Sequence, residues 1–230
     1  MKFRLIAVAT ALVVSAGVAS AQDTTSEKGK LSYALGFKTG VDAAELADRG
    51  EQIDINSLIK GVQDAFAKKQ PTVSVEQLQK SLQDMQARQT AKAKAEWEKA
   101  ASDNRTKSDA FINSNRSKPG VKVLPSGVQY RVIEAGSGAK PTPSSTVQLQ
   151  VAGPFPWGQR PQDARPAQSI PAIKVSQIEM PAMREVIQQM PTGARWEVTL
   201  PADKAYGADP RTGFPPNVAV QFEIKLVSAK

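Results

Sequence analysis

Apolar and polar positions along the chain change period twice, and the changes mark out its elements. In residues 31–67, Leu31, Tyr33, Leu35, Phe37, Val41 and Leu46 fall on one wide apolar surface, and Leu58, Ile59, Val62 and Phe66 form a second stripe at helical spacing. The pattern predicts two helices. Gly50 sits where the first should end, and Asp54 or Asn56 is placed to cap the second. Two helices of this size cannot bury so wide a surface alone. The segment is therefore expected to pair with a second chain, or else to fold back on its own.

After Pro71, Ser74 and Gln77 have the spacing of a capping box. From there to about residue 115 neither proline nor glycine occurs. A helix of roughly 40 residues, about 60 Å long, is predicted. Its apolar residues cluster at the start (Val75, Leu78, Leu82, Met85) and at the end (Phe111, Ile112). The polar middle reads as a solvated spacer held by local charge pairs. Lys118-Pro119-Gly120 ends it.

From residue 121 the period becomes that of strands. Residues 128–133, 147–151 and 195–200 read as strands. The clearest is the last, where Val218, Val220, Phe222, Ile224 and Leu226 alternate with polar or small residues. A short helix over 181–190 carries Met183, Val186, Ile187 and Met190 on one face, with Pro181 suited to its first turn. Short strands around one short helix make an antiparallel α+β domain. The strand from Val147 runs into Pro154, Pro156, Pro161 and Pro166, which lack the backbone N–H of a sheet ladder. It is expected to stop there and give way to a rigid loop.

Composition narrows the chemistry. The 230 residues include no cysteine and no histidine, so disulfides, thiol nucleophiles, imidazole bases and Cys/His zinc sites are excluded. No EF-hand-like loop occurs, and neither a metal nor a cofactor is expected. Lys2 and Arg4, the apolar run of residues 5–18 and Ala19-Ser20-Ala21 form a secretory signal peptide. The run is short for a membrane span of roughly 20 residues. No cysteine follows to carry a lipid. An exported protein without a membrane anchor is expected, and the lack of disulfides suits a bacterial periplasm. The net charge of +8 is spread over polar helix faces rather than gathered in one patch, so nucleic acid is not an expected partner.

Several short motifs, in order, carry a resemblance. Leu124-Pro125-Ser126-Gly127-Val128-Gln129-Tyr130, with Glu134-Ala135-Gly136-Ser137-Gly138 after it, resembles the opening of FKBP-type peptidyl-prolyl isomerases. Met190-Pro191-Thr192-Gly193-Ala194-Arg195-Trp196, Ala205-Tyr206-Gly207, Phe214-Pro215-Pro216-Asn217 and Phe222-Glu223-Ile224-Lys225-Leu226 follow in the family's order. Tyr33-Ala34-Leu35-Gly36, the two small helices and the long helix are similar to the macrophage infectivity potentiator branch. The resemblance implies an exported homodimer joined through its N-terminal helices. It also implies an FKBP-like sheet wrapped on a short helix. The expected segments are a signal peptide at 1–21, a helical dimerisation domain at 22–73, a connecting helix at 74–117 and an FKBP-like domain at 118–230. The implied partners are proline-containing unfolded or exported polypeptides.

The reaction implied is rotation about an X–Pro bond, whose barrier is about 18–20 kcal/mol. It needs no nucleophile and no metal. A ring-lined pocket strips water from the imide and favours the twisted state over the planar one. By resemblance Tyr206 and Phe222 are the catalytic residues, and Val151, Ile178, Met180, Met183 and Phe214 bind substrate. The pocket departs from the family pattern. Val151 stands at the tyrosine of Val-x-Tyr-x-Gly, and Met183 at the tryptophan of the floor. After Gly158 the phenylalanine and aspartate of Gly-x-x-Phe-Asp are missing, and residues 154–166 are proline-rich instead. Phe214 takes a usually aliphatic position.

Two readings follow. One is a periplasmic folding factor with weak isomerase activity and a client-holding role. The other is a non-catalytic dimeric chaperone whose isomerase pocket has been lost. The Tyr206 hydroxyl either bonds the substrate carbonyl at the pocket rim or bonds its own backbone. Trp157, within the prolines, is either an exposed client anchor or a lid over the pocket. The proline segment is either a rigid connection or itself a ligand in extended form. Trp196 is expected in the core.

Overall fold

A computed structural model describes residues 23–230. The signal peptide expected at residues 1–21 lies outside them. The chain divides into two compact units, Met1–Gln89 and Thr90–Lys230, with the boundary inside the longest helix. Among the described residues, no helix is long and apolar enough to cross a membrane.

In the first unit, α1 (Glu27–Asp48) and α2 (Ile55–Phe66) occupy the two predicted helical stretches. Ser26 caps α1 through the Gly29 N–H, and Asp54 caps α2 by accepting from the Ser57 N–H at 2.7 Å. Gly50 follows α1 with φ +95, where glycine avoids a Cβ clash. Within the single chain their apolar side chains stay uncovered: Leu35 is 62% and Phe66 91% exposed. α3 (Val75–Arg116) starts at Ser74, whose hydroxyl accepts from the Gln77 N–H at 3.3 Å.

The second unit is a six-stranded antiparallel sheet: β1 (Val121–Val123), β2 (Gln129–Glu134), β3 (Thr146–Pro156), β4 (Gln168–Lys174), β5 (Arg195–Leu200) and β6 (Val220–Ala229). Its order is β1-β2-β5-β6-β3-β4. The fold is thus α+β and FKBP-like, with N-terminal helices, a long helix and a wrapped antiparallel sheet. α4 (Pro181–Gln189) puts Val186 and Ile187 into the core beside Trp196, Val198, Leu200, Phe222 and Ile224. Each fully buried aliphatic side chain of this kind stabilises the fold by about 1.5–3 kcal/mol. Trp196 is buried as expected and stacks on Tyr130 at 4.3 Å with planes 12° apart.

One sequence expectation is corrected. β3 does not stop at the prolines but runs to Pro156. Its β4 flank is paired only as far as Val151↔Gln168, so beyond that point one side of the strand needs no donors. On the β6 flank a register shift between Ala152 and Phe155 takes up Pro154, after which Phe155↔Gln221 and Pro156↔Val220 resume pairing. The Gly153–Pro154 peptide is cis. The Trp157 N–H then donates to the Ala219 carbonyl at 2.9 Å.

Candidate functional site

All seven candidate residues lie in or against one hydrophobic cluster. Phe222 belongs to its buried part, and Val151, Ile178, Met180, Met183, Tyr206 and Phe214 are half-buried against it. Three stretches of chain deliver them.

The first is the β3–β6 pair. Val151 sits opposite Ile224, two residues along β6 from Phe222, so the two side chains share a face. Gly153 has φ +115, and a Cβ there would lie 2.9 Å from the Gln221 carbonyl oxygen and 3.1 Å from the Phe222 ring. Only glycine lets β3 approach the Phe222 ring this closely.

The second is the entry to α4. A single 3-10 turn, Val175–Gln177, is followed by Ile178, Glu179 and Met180, and Pro181 opens the helix at its first position. No side chain caps this helix start. Instead Arg184 folds back, its Nη1 donating to the Ile178 carbonyl at 2.5 Å and to the Glu179 carbonyl at 3.5 Å. That fork fixes the backbone carrying Ile178 and Met180 while Met183 emerges one residue ahead of it.

The third is the segment between β5 and β6. A 3-10 turn at Ala202–Lys204 leads into Tyr206, and a second at Pro210–Thr212 leads into Phe214. The Tyr206 and Phe214 rings stack with centroids 4.4 Å apart and planes at 24°. The Tyr206 hydroxyl makes no hydrogen bond to another described residue, so the reading in which it bonds its own backbone is not seen. Burial raises its pKa above the ordinary 10, which keeps it a neutral donor over the physiological range. Asp209 grips Arg211 through both carboxylate oxygens, and those hydrogen bonds lower its pKa to about 2.

Trp157 is half-buried rather than exposed. Its indole Nε1 donates to Ser108 Oγ at 3.1 Å, and Lys107 Nζ sits 4.9 Å from the ring centroid. The half-buried ring bonds the last third of α3 and also packs against the hydrophobic cluster, so it is not an exposed anchor. Gly158 follows at φ +70, with the Phe111 ring 3.1 Å from where its Cβ would be. Within the proline segment, residues 157 and 158 are thus held against α3.

Sequence reasoning missed the groups that hold these stretches. Asn104 Nδ2 donates to the Pro216 carbonyl at 2.9 Å, and Asn217 Nδ2 to the Ala101 carbonyl at 3.1 Å. Ser108 Oγ donates to the Asn217 carbonyl at 2.8 Å and accepts from the Ala219 N–H at 2.8 Å. Asn115 reaches Gln129 and Thr199 at 2.9 and 3.2 Å beneath the sheet. The available signal was a stripe, Ala101, Asn104, Ser108, Phe111 and Asn115, recurring at alternating steps of three and four in an otherwise charged helix.

Comparisons with known proteins bear on the family of the chain. A family model described as the domain amino-terminal to FKBP-type peptidyl-prolyl isomerase matches residues 28–132. A second, described as FKBP-type peptidyl-prolyl cis-trans isomerase, matches residues 138–227. The chain is 39% identical to the outer membrane protein MIP of Legionella longbeachae, covering 100% of this chain and 99% of that protein. It is 30% identical to the peptidyl-prolyl cis-trans isomerase Mip of Coxiella burnetii, covering 89% and 88% respectively. The crystal structure of FkpA from Escherichia coli superposes with a TM-score of 0.66 at 29% identity, over 90% of this chain and 98% of that one.

Proposed function

The chain belongs to the FKBP-type peptidyl-prolyl cis-trans isomerase family, and on that premise we propose that it is a weak proline isomerase that also holds unfolded clients. The observation that carries the reading is the stacked Tyr206–Phe214 pair, with a neutral, unengaged hydroxyl beside apolar walls. A substrate proline ring packs among Phe214, Phe222, Val151 and Met183, which excludes water from the imide. The charge-separated amide resonance form then loses solvation, and rotation becomes easier. Tyr206 donates to a carbonyl next to the proline and favours the twisted geometry. Val151 and Met183 offer smaller or softer surfaces than the rings they replace, so the twisted state is held less firmly and turnover is slow.

The proposed arrangement has a cleaved leader at 1–21, a dimerisation module at 22–73, a connecting helix at 74–117 and an isomerase domain at 118–230, working in the periplasm. The uncovered apolar faces of α1 and α2 support self-association through a second copy. Pairing would raise the effective concentration of one client at two weak sites.

The binding step is tested by following the Tyr206 ring resonances while adding an Ala-Leu-Pro-Phe peptide. A saturable shift that an Ala-Leu-Ala-Phe peptide does not produce supports the reading. Equal responses to the two peptides contradict it.

A further inference from the structure

The groups that position the Tyr206–Phe214 pair come from α3 as well as from the sheet. Between Gly207 and Pro216 the chain has a 3-10 turn but no strand, so β5–β6 pairing holds only its ends. Besides the local bonds within residues 202–214, its hydrogen bonds at the C-terminal end lead to the helix. The Asn217 N–H donates to the Gly207 carbonyl at 2.7 Å, tying the residue after Tyr206 to Asn217. Asn217 stands in the left-handed region at φ +54, a conformation asparagine tolerates better than most residues. It is held there from both ends of its own residue: its side chain donates to the Ala101 carbonyl, and its carbonyl accepts from Ser108 Oγ. Asn104 holds the Pro216 carbonyl immediately before it.

Ser108 is the centre of this arrangement. It is 3% exposed, and its hydroxyl spends its one donor on Asn217 and both acceptor positions on the Trp157 indole and the Ala219 amide. Its partners Trp157 and Ala219 stand immediately after β3 and immediately before β6.

We infer that Ser108, with Asn104 as its second hold, is a positioning residue for the isomerase site: the last third of α3 sets the register of the segment that presents Tyr206 and Phe214. The inference rests on the proposed function for its kinetic consequence, but not for its structural one. Its chemical content is specific. A hydroxyl at 108 is needed, and a side chain of similar size without one leaves the Trp157 indole, the Ala219 amide and the Asn217 carbonyl unpaired.

The experiment uses the full chain, in the wild type and in Ser108→Ala, Ser108→Thr and Asn104→Ala variants. Two signals are read by NMR: the Trp157 indole N–H, which reports the bond itself, and the Tyr206 ring protons, which feel the Phe214 ring current. Kinetics with a succinyl-Ala-Leu-Pro-Phe anilide give KM and kcat separately. In Ser108→Ala the indole signal moves, the Tyr206 ring signals shift or broaden, and KM rises by about 5-fold or more with kcat changed less than about 2-fold. Ser108→Thr restores the Tyr206 signals and KM. Asn104→Ala, which removes only one half-buried bond, shifts Tyr206 in the same direction by less. It keeps the inference testable if Ser108→Ala fails to fold. An indole signal that moves while Tyr206 and KM stay at their wild-type values overturns the inference, as does a threonine variant no better than alanine. A wild type that neither binds nor turns over the peptide removes the proposed function. The Tyr206 response to loss of the 108 hydroxyl then decides the positioning role by itself.

Discussion

Tyr206 and Phe214 stack face to face across the turn of the β5–β6 segment, 4.4 Å between centroids. On the proposed function the two rings do different work, and substitutions separate them. Phe214→Ala removes an aromatic pair worth about 0.5–1.5 kcal/mol beyond its buried area. Peptide affinity is expected to fall by about 3- to 10-fold. Tyr206→Phe keeps the stack and removes the donor, so affinity is nearly kept while kcat falls by about 3- to 10-fold. Steady-state kinetics on both variants check the split.

No histidine or cysteine is present, so no side chain with an ordinary pKa near neutrality can gate the reaction. The group expected to matter is Tyr206. Burial penalises its phenolate and raises its pKa, so the neutral donor persists below pH 10 and is lost only above it. The rate of catalysed isomerisation is expected to be flat from about pH 6 to 9. An inflection near pH 6.5 contradicts the assignment.

Gly153→Ala tests the wall made by β3 and β6. The added methyl meets the Gln221 carbonyl oxygen at 2.9 Å in a residue already at φ +115. A cost of about 1–3 kcal/mol is expected from backbone strain. Urea denaturation of the variant beside the wild type measures it.

Much of this architecture was legible in the chain. Asp54 and Ser74 announced the starts of α2 and α3 because a capping side chain is local chemistry. β5 and β6 were legible because their apolar residues, Trp196, Val198 and Leu200 and then Val220, Phe222, Ile224 and Leu226, recur at a spacing of two and are all buried, although Thr199 and Gln221 on the other face are buried as well. β4 was not. Its half-buried residues, Ile170 and Ile173, are three apart because the ladder with β3 shifts register between Val147 and Leu149. The continuation of β3 through Pro154 and Pro156 was hidden for a related reason: which flank of a strand needs donors depends on its neighbours. The family motifs singled out Tyr206, Phe214 and Phe222 as candidates, and the structure places all three in or against one hydrophobic cluster. Ser108 was invisible because a buried serine on a charged helix looks like solvent-facing polarity until its three partners, distant in sequence, are brought to it.

The apolar faces of α1 and α2 carry a prediction about assembly. Leu35→Lys with Ile59→Lys puts charge on residues 62% and 49% exposed in the single chain. The wild type is expected to elute with the mass of two chains and the double variant with the mass of one, by light scattering. Equal masses remove these faces from the interface.

The central claim is that catalysis in this domain comes from a dry cavity whose walls have been thinned at residues 151 and 183. The most direct measurement is a protease-coupled isomerase assay on a proline tetrapeptide, with the wild type beside a Val151→Tyr, Met183→Trp double variant. Restoring two rings supplies about 1–3 kcal/mol to the twisted state, roughly 5- to 150-fold in rate. The predicted result is a wild-type rate above buffer that Tyr206→Phe lowers, and a double variant faster by at least about fivefold. A folded wild type indistinguishable from buffer, or a double variant no faster than the wild type, contradicts the claim.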